Sequence, residues 1–199
     1  MLAYVFWHRP RDPARAQDYE HAQLTFHRSL ARSRPVGMCG SASFRVAHIP
    51  WLAQPDGEQA SGGYEDWYLV EDFTALGVLN EAAVGHGHRT PHDEAARRFG
   101  SGAGALYGLL EGTRSDLLSA VSLAVWVQRP PGSQRRPLGE LLGDGMDPRR
   151  ASLWRRQLVF GPAPEFCLLA GEVPAGVASA RLPGGWSATT LQREGLWSG

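Results

Sequence analysis

The residues best suited to chemistry are Tyr4, His8, His21, His27, His48 and Trp67, a polar–aromatic set confined to the first third of the chain. Side chains alternate along a strand, so within Leu2–Pro10 Tyr4, Phe6 and His8 share one face while Val5 and Trp7 share the other. The helix expected next carries Tyr19, Phe26 and His27, and a pocket between that strand and that helix brings His8 near His27 or Tyr19. Imidazole titrates near neutrality, which makes His8 and His27 the candidate catalytic bases. Tyr4, Phe6, Tyr19, Phe26, His48 and Trp67 are the expected walls, and they suit a small apolar or aromatic ligand. The competing reading leaves the histidines partly exposed or bonded to backbone. A buried imidazole without a partner costs about 1–3 kcal/mol, so His8 needs one: His27, Tyr19, a carboxylate, water or a ligand.

Other motifs carry less. His86-Gly-His88 with His92 has a spacing that zinc or nickel accepts. Its glycine-rich connection cannot fix three imidazoles without an ordering cost, and no metal is expected there. Arg149-Arg150, Arg155-Arg156 around Trp154, and Arg135-Arg136 are basic and interleaved with an aromatic. They read as a solvated or inter-subunit face. Gly100-Ser-Gly-Ala-Gly104 lies between a helix and a strand, whereas phosphate loops need strand before helix. There is no G-x-S-x-G elbow. All 20 basic residues are Arg, which removes lysine chemistry.

The elements that position these residues follow from periodicity. Asp12-Pro13 starts a helix with an apolar stripe at Ala16, Tyr19, Ala22, Phe26 and Leu30. A strand over 38–49 carries Phe44, Val46 and His48 on one face. After a polar hairpin loop at 53–63 comes the strand Tyr64–Glu71, and Asp72 caps a second helix. Thr90-Pro-His-Asp93 opens a short third helix, and 105–111 is a strand. That order is β-α-β-β-α-β, a ferredoxin-like unit. Leu123-Ala-Val-Trp-Val-Gln-Arg-Pro130 then repeats the first strand at an offset of 120 residues, and Glu165–Glu172 repeats Glu65–Asp72 at an offset of 100. The expected fold class is therefore α+β, a duplicated ferredoxin-like body with a complete unit at 1–111 and a shorter, degenerate one at 112–199. The second unit is expected to hold a short helix at 137–142, a hairpin of 151–160 and 164–170, and a last strand near 188–197.

At 199 residues, with 43% hydrophobic and 20% charged residues, the chain can bury a sizeable core. Formal net charge is zero, which argues against a nucleic-acid partner. No apolar run is long enough to cross a bilayer and no leader pattern is present, so no membrane partner and a cytoplasmic location are expected. Cys39 and Cys167 read as reduced thiols. No cofactor is implied by any motif. Seven tryptophans suit a pocket or an interface equally, and a homo-oligomer fits the second.

The Tyr4–Pro10 strand ending in Arg-Pro, the helix holding Tyr19, His21 and His27, and the Trp67-Tyr68-Leu69 strand leading into Asp72 resemble the dimeric α/β-barrel superfamily, in its EthD-like and antibiotic-monooxygenase-like forms. The resemblance covers residues 1–111 well and 122–172 poorly. It implies two ferredoxin-like sheets packed as a barrel, a pocket between sheet and helices, and cofactor-independent monooxygenase-like chemistry. The alternative is a non-enzymatic protein that binds or assembles through a sheet edge or interface.

Overall fold

The computed structural model describes residues 1–52, 62–85, 87–112, 122–132, 151–171, 182 and 184–199. Eight strands run through them: β1 (Leu2–Pro10), β2 (Met38–Val46), β3 (Gly63–Val70), β4 (Phe99–Gly112), β5 (Leu123–Gln128), β6 (Ala151–Phe160), β7 (Phe166–Ala170) and β8 (Ser187–Ser198). They close into one barrel in the order β1-β3-β2-β8-β5-β7-β6-β4, and every pairing is antiparallel. Three α-helices lie between β1 and β4: α1 (Ala16–Arg32), α2 (Phe73–Val84) and α3 (Arg89–Ala96).

This corrects the expectation of a duplicated, fused ferredoxin-like α+β body. The molecule is a closed, mostly-sheet barrel with three α-helices among the described residues. Local patterning identified most strands, but not that β2 would pair with β8 and β4 with β6. Those two seams join the halves into a single sheet. The strands holding the Arg-Pro repeat, β1 and β5, are members of that one sheet and not of two. The expected helix at 137–142 lies outside the described residues.

The two faces of the sheet are covered for different reasons. One face fills the barrel with Ala3, Val5, Trp7, Ala42, Phe44, Trp67, Leu69, Tyr107, Trp126 and Trp154. Its rings meet edge to face, with Trp7 and Trp126 centroids 4.9 Å apart, the geometry that aromatic quadrupoles favour. The other face receives α1, whose buried residues Tyr19, Ala22, Gln23, Phe26, His27 and Leu30 recur at steps of three and four. The run at Ser101–Gly104, expected to be a link, belongs to β4 instead. An added Cβ would meet the Phe6 ring at 2.8 Å at Gly102, and the Tyr4 hydroxyl at 2.6 Å at Gly104. The glycines let two aromatic rings of β1 lie flat across the neighbouring strand. Asp72 caps α2 by accepting from the Ala75 N–H, as its position promised. Among the described residues no helix is long and apolar enough to cross a membrane.

Candidate functional site

Register places the site. In the β1–β3 ladder Tyr4 faces Tyr68, Phe6 faces Asp66 and His8 faces Tyr64. In the β2–β3 ladder Ser43 stands opposite Asp66 and Ser41 opposite Tyr68. All of these alternate onto the side that α1 covers. The helix supplies Tyr19, Gln23 and His27 from successive turns of its inner stripe.

Asp66 is the centre. Its Oδ2 lies 3.1 Å from His8 Nε2 and 3.2 Å from His27 Nε2, and it accepts a 3.3 Å hydrogen bond from the Tyr68 hydroxyl. The His8 contact is close but not aligned as a hydrogen bond. Tyr19 Oη stands 2.8 Å from His8 Nδ1, and Ser41 Oγ stands 2.9 Å from His27 Nδ1. With each hydroxyl donating to the Nδ1 it touches, both Nε2 atoms carry protons and face the carboxylate. That tautomer sets a donor against both Nδ1 atoms and turns both Nε2–H groups toward Asp66 Oδ2. Burial by itself raises the Asp66 carboxyl, but His27 and His8 outweigh it and hold the group well below the usual carboxylate range. Burial, then the nearby Asp66 charge, pushes the Tyr19 and Tyr68 hydroxyls well above the ordinary phenol range.

This network floors a cavity of about 770 Å³. Tyr4, Phe6, Phe26, Tyr68 and Phe99 give it aromatic walls, and α2 and α3 form its far side with Leu76, Gly77, Asn80, Val84 and His92. Phe6 and His8 stack with centroids 4.9 Å apart. Two buried oxygens of lining residues, Asp66 Oδ1 and Gln23 Oε1, have no hydrogen-bond partner among the described residues.

Of the residues singled out from sequence, Tyr4, Phe6, His8, Tyr19 and Phe26 line this cavity. His27 does not; it is fully buried behind Asp66. Two expected wall residues are misplaced. Trp67 points into the barrel, where it packs on Trp126 and donates to Glu65, because its odd position on β3 puts it on the opposite face from Asp66. His48 is exposed beyond the end of β2, since the strand stops at Val46. Sequence reasoning missed Asp66, Tyr68 and Gln23. The alternation Tyr64-Asp66-Tyr68 was a readable signal, since it sets a carboxylate between two phenols on one strand face.

The whole fold resembles that of an anthrone oxidase-like protein. That crystal structure superposes with a TM-score of 0.55 at 12% identity, covering 100% of this chain and 92% of that one. No family model matches the sequence, and no curated protein matches it.

Of the remaining motifs, His92 lines the cavity and the other described residues lie elsewhere. His88 is bound on both ring nitrogens, Nδ1 to Ser29 Oγ and Nε2 to Ser33 O, each at 3.0 Å, so it fastens the end of α1. His86 lies outside the described residues, among which no group of three metal-ligating side chains occurs. Trp154 is buried in the barrel, and Arg155 faces Glu165 at 3.9 Å. Arg135, Arg136, Arg149 and Arg150 lie outside the described residues. Among the described residues the sheet closes on itself and has no free edge.

Proposed function

We propose that the chain binds a flat, largely apolar aromatic molecule and removes a proton from it, so that the resulting anion reacts directly with dioxygen. The observation that carries this reading is the Tyr19–His8–Asp66 array at the floor of an aromatic cavity. Tyr19 Oη takes the substrate proton as its own proton passes to His8 Nδ1. The imidazolium so formed faces the Asp66 carboxylate, the arrangement by which a carboxylate stabilises a charged histidine in catalytic triads. A phenol displaced upward is a poor acid alone, and in this relay it need never carry net charge. His27 holds Asp66 ionised from behind without touching the ligand.

The oxidant is dioxygen. The carbanion gains a C–O bond, the peroxide formed recovers its proton from His8, and loss of water leaves a carbonyl: CH2 plus O2 gives C=O plus H2O. A tricyclic anthrone, the compound class in the structural neighbour's name, fits a cavity of this size and carries such an acidified CH2. No chain residue or cofactor changes oxidation state.

The test is His8→Ala assayed with a tricyclic anthrone by oxygen uptake and by quenching of intrinsic fluorescence. Removing the proton acceptor should lower turnover by about 10²–10⁴-fold with a smaller change in affinity. Equal oxygen uptake by the variant and the parent protein overturns the reading.

A further inference from the structure

We infer that Gly77 is a size-determining residue of the cavity, the point at which α2 lets a multi-ring ligand enter and lie across the helix. The inference rests on the proposed aromatic-binding function and extends it to the shape of the ligand.

Gly77 sits in the middle of α2, in the run Ala75-Leu-Gly-Val-Leu79. Glycine there is a poor choice, because it gives up more backbone freedom than alanine on entering a helix. Many described glycines have a visible reason, while Gly171, Gly184 and Gly195, like Gly77, stand in open space; of these four only Gly77 lines the cavity. Gly37 has φ of 76°, and at Gly102 and Gly104 a Cβ would strike an aromatic side chain. Gly77 has neither. Its backbone is helical, and an added Cβ would find no atom within 4 Å. No described atom asks for glycine here, and the position lines the cavity, so the demand is assigned to the ligand.

The surroundings say what that outside object is. Phe73, Gly77, Asn80 and Val84 follow one another at steps of three and four, on one face of α2, and all four line the cavity. Phe73 and Val84 are 57% and 46% exposed, although both are large and apolar. The face is therefore an open apolar rim with a notch at its centre and an amide beside it. A ligand confined to the floor needs no notch. One that is three fused rings long extends from His8 toward this rim, covers Phe73 and Val84, and needs the space a side chain at 77 would take.

Three variants and two ligands test this. Gly77→Ala should raise the melting temperature by about 2–4 °C, the shift expected when a mid-helix glycine is replaced in a chain of this size. Gly77→Leu should keep that gain and lower the ratio of tricyclic anthrone affinity to 4-methylphenol affinity by about tenfold or more, the discrimination that steric fit in an apolar pocket supplies. Gly77→Phe should lower it further. If the parent protein binds neither ligand, the aromatic-binding reading itself fails. If it binds both and the ratio is unchanged in Gly77→Leu, the assignment of Gly77 is overturned. It is equally overturned if Gly77→Leu converts a dimer to a monomer with the ratio intact, because the glycine then serves helix packing between copies.

Discussion

Glu65 and Asp66 are adjacent carboxylates on β3, both buried, and the strand sends them to opposite sides of the sheet. Inside the barrel Glu65 is fully provided for. Its Oε2 accepts from the Trp7 indole at 3.0 Å, its Oε1 from the Trp67 indole at 2.8 Å, and Arg193 Nη1 lies 3.2 Å from Oε1. Arg193 in turn covers the Phe44 ring at 4.0 Å. On the helix side Asp66 gathers two histidines and a phenol around one oxygen and leaves the other unpartnered among the described residues. One carboxylate is a joint, linking β3 to β8 across the barrel. The other is a site, its residue lining a cavity and one of its oxygens unpartnered among the described residues. The lesson is that burial of an acid says little about its use; the number of its lone pairs left unbonded says more.

The largest effect expected from this contrast is on stability. Glu65→Ala takes from buried Arg193 and from two buried indole N–H groups the carboxylate they share. Breaking a buried pair from one side costs about 3–5 kcal/mol, which for a chain of this length lowers the melting temperature by roughly 10 °C. Replacing both charged partners, Glu65→Leu with Arg193→Leu, should recover only part of that loss, since the buried charge is gone but the Trp7 and Trp67 indole N–H groups still lack their acceptor. Thermal melts of the two variants check this. A Glu65→Ala protein that melts within two degrees of its parent would show that the joint bears no strain.

Asp66→Asn should divide the two roles. The amide keeps the shape and can still meet the tyrosine and one histidine, but it cannot stabilise an imidazolium at His8. Turnover with a tricyclic anthrone should drop by about 10²–10³-fold, while stability should fall by less than in Glu65→Ala. If Asp66→Asn unfolds the chain but Glu65→Ala does not, the assignment of joint and site is reversed.

How much of this was legible beforehand depends on the range of the interaction concerned. The β1 face carrying Tyr4, Phe6 and His8, the inner stripe of α1 and the Asp12 and Asp72 caps are local, and period-two and period-3.6 patterns reveal them. Trp67 illustrates the limit. An aromatic run, Trp67-Tyr68-Leu69, does not state which parity faces the ligand when both faces are buried, and only the pairing of Phe6 with Asp66 decides it. The barrel closure was illegible for a similar reason. Seams such as Arg45 with Glu194, or Tyr107 with Arg156, join residues about 50 to 150 positions apart and leave no local trace. Overlooking Asp66 was avoidable, because an acid between two tyrosines on alternate positions has no reason to be there on a purely apolar face.

The smallest effect concerns acid stability, and it isolates Asp66 by its titration. Burial raises the Asp66 carboxyl, but His27 first and His8 second outweigh that and hold it below its ordinary value. A carboxyl depressed by folding contributes stability above its unfolded pKa of about 3.9 and loses it as the pH falls through the folded value. The parent protein should therefore lose melting temperature as the pH is lowered from about 5 to 3. In Asp66→Asn that part of the decline should be absent, so the curves of variant and parent converge at low pH by a few degrees. His27→Ala removes the largest influence lowering the carboxyl, so Asp66 should titrate closer to its unfolded value and the acid decline should flatten partway toward that of Asp66→Asn. Melts recorded at half-unit steps across this range decide the matter. Parallel curves for parent and Asp66→Asn would mean that the histidines do not hold the carboxylate charged, and the relay from Tyr19 through His8 would lose the counter-charge on which it depends.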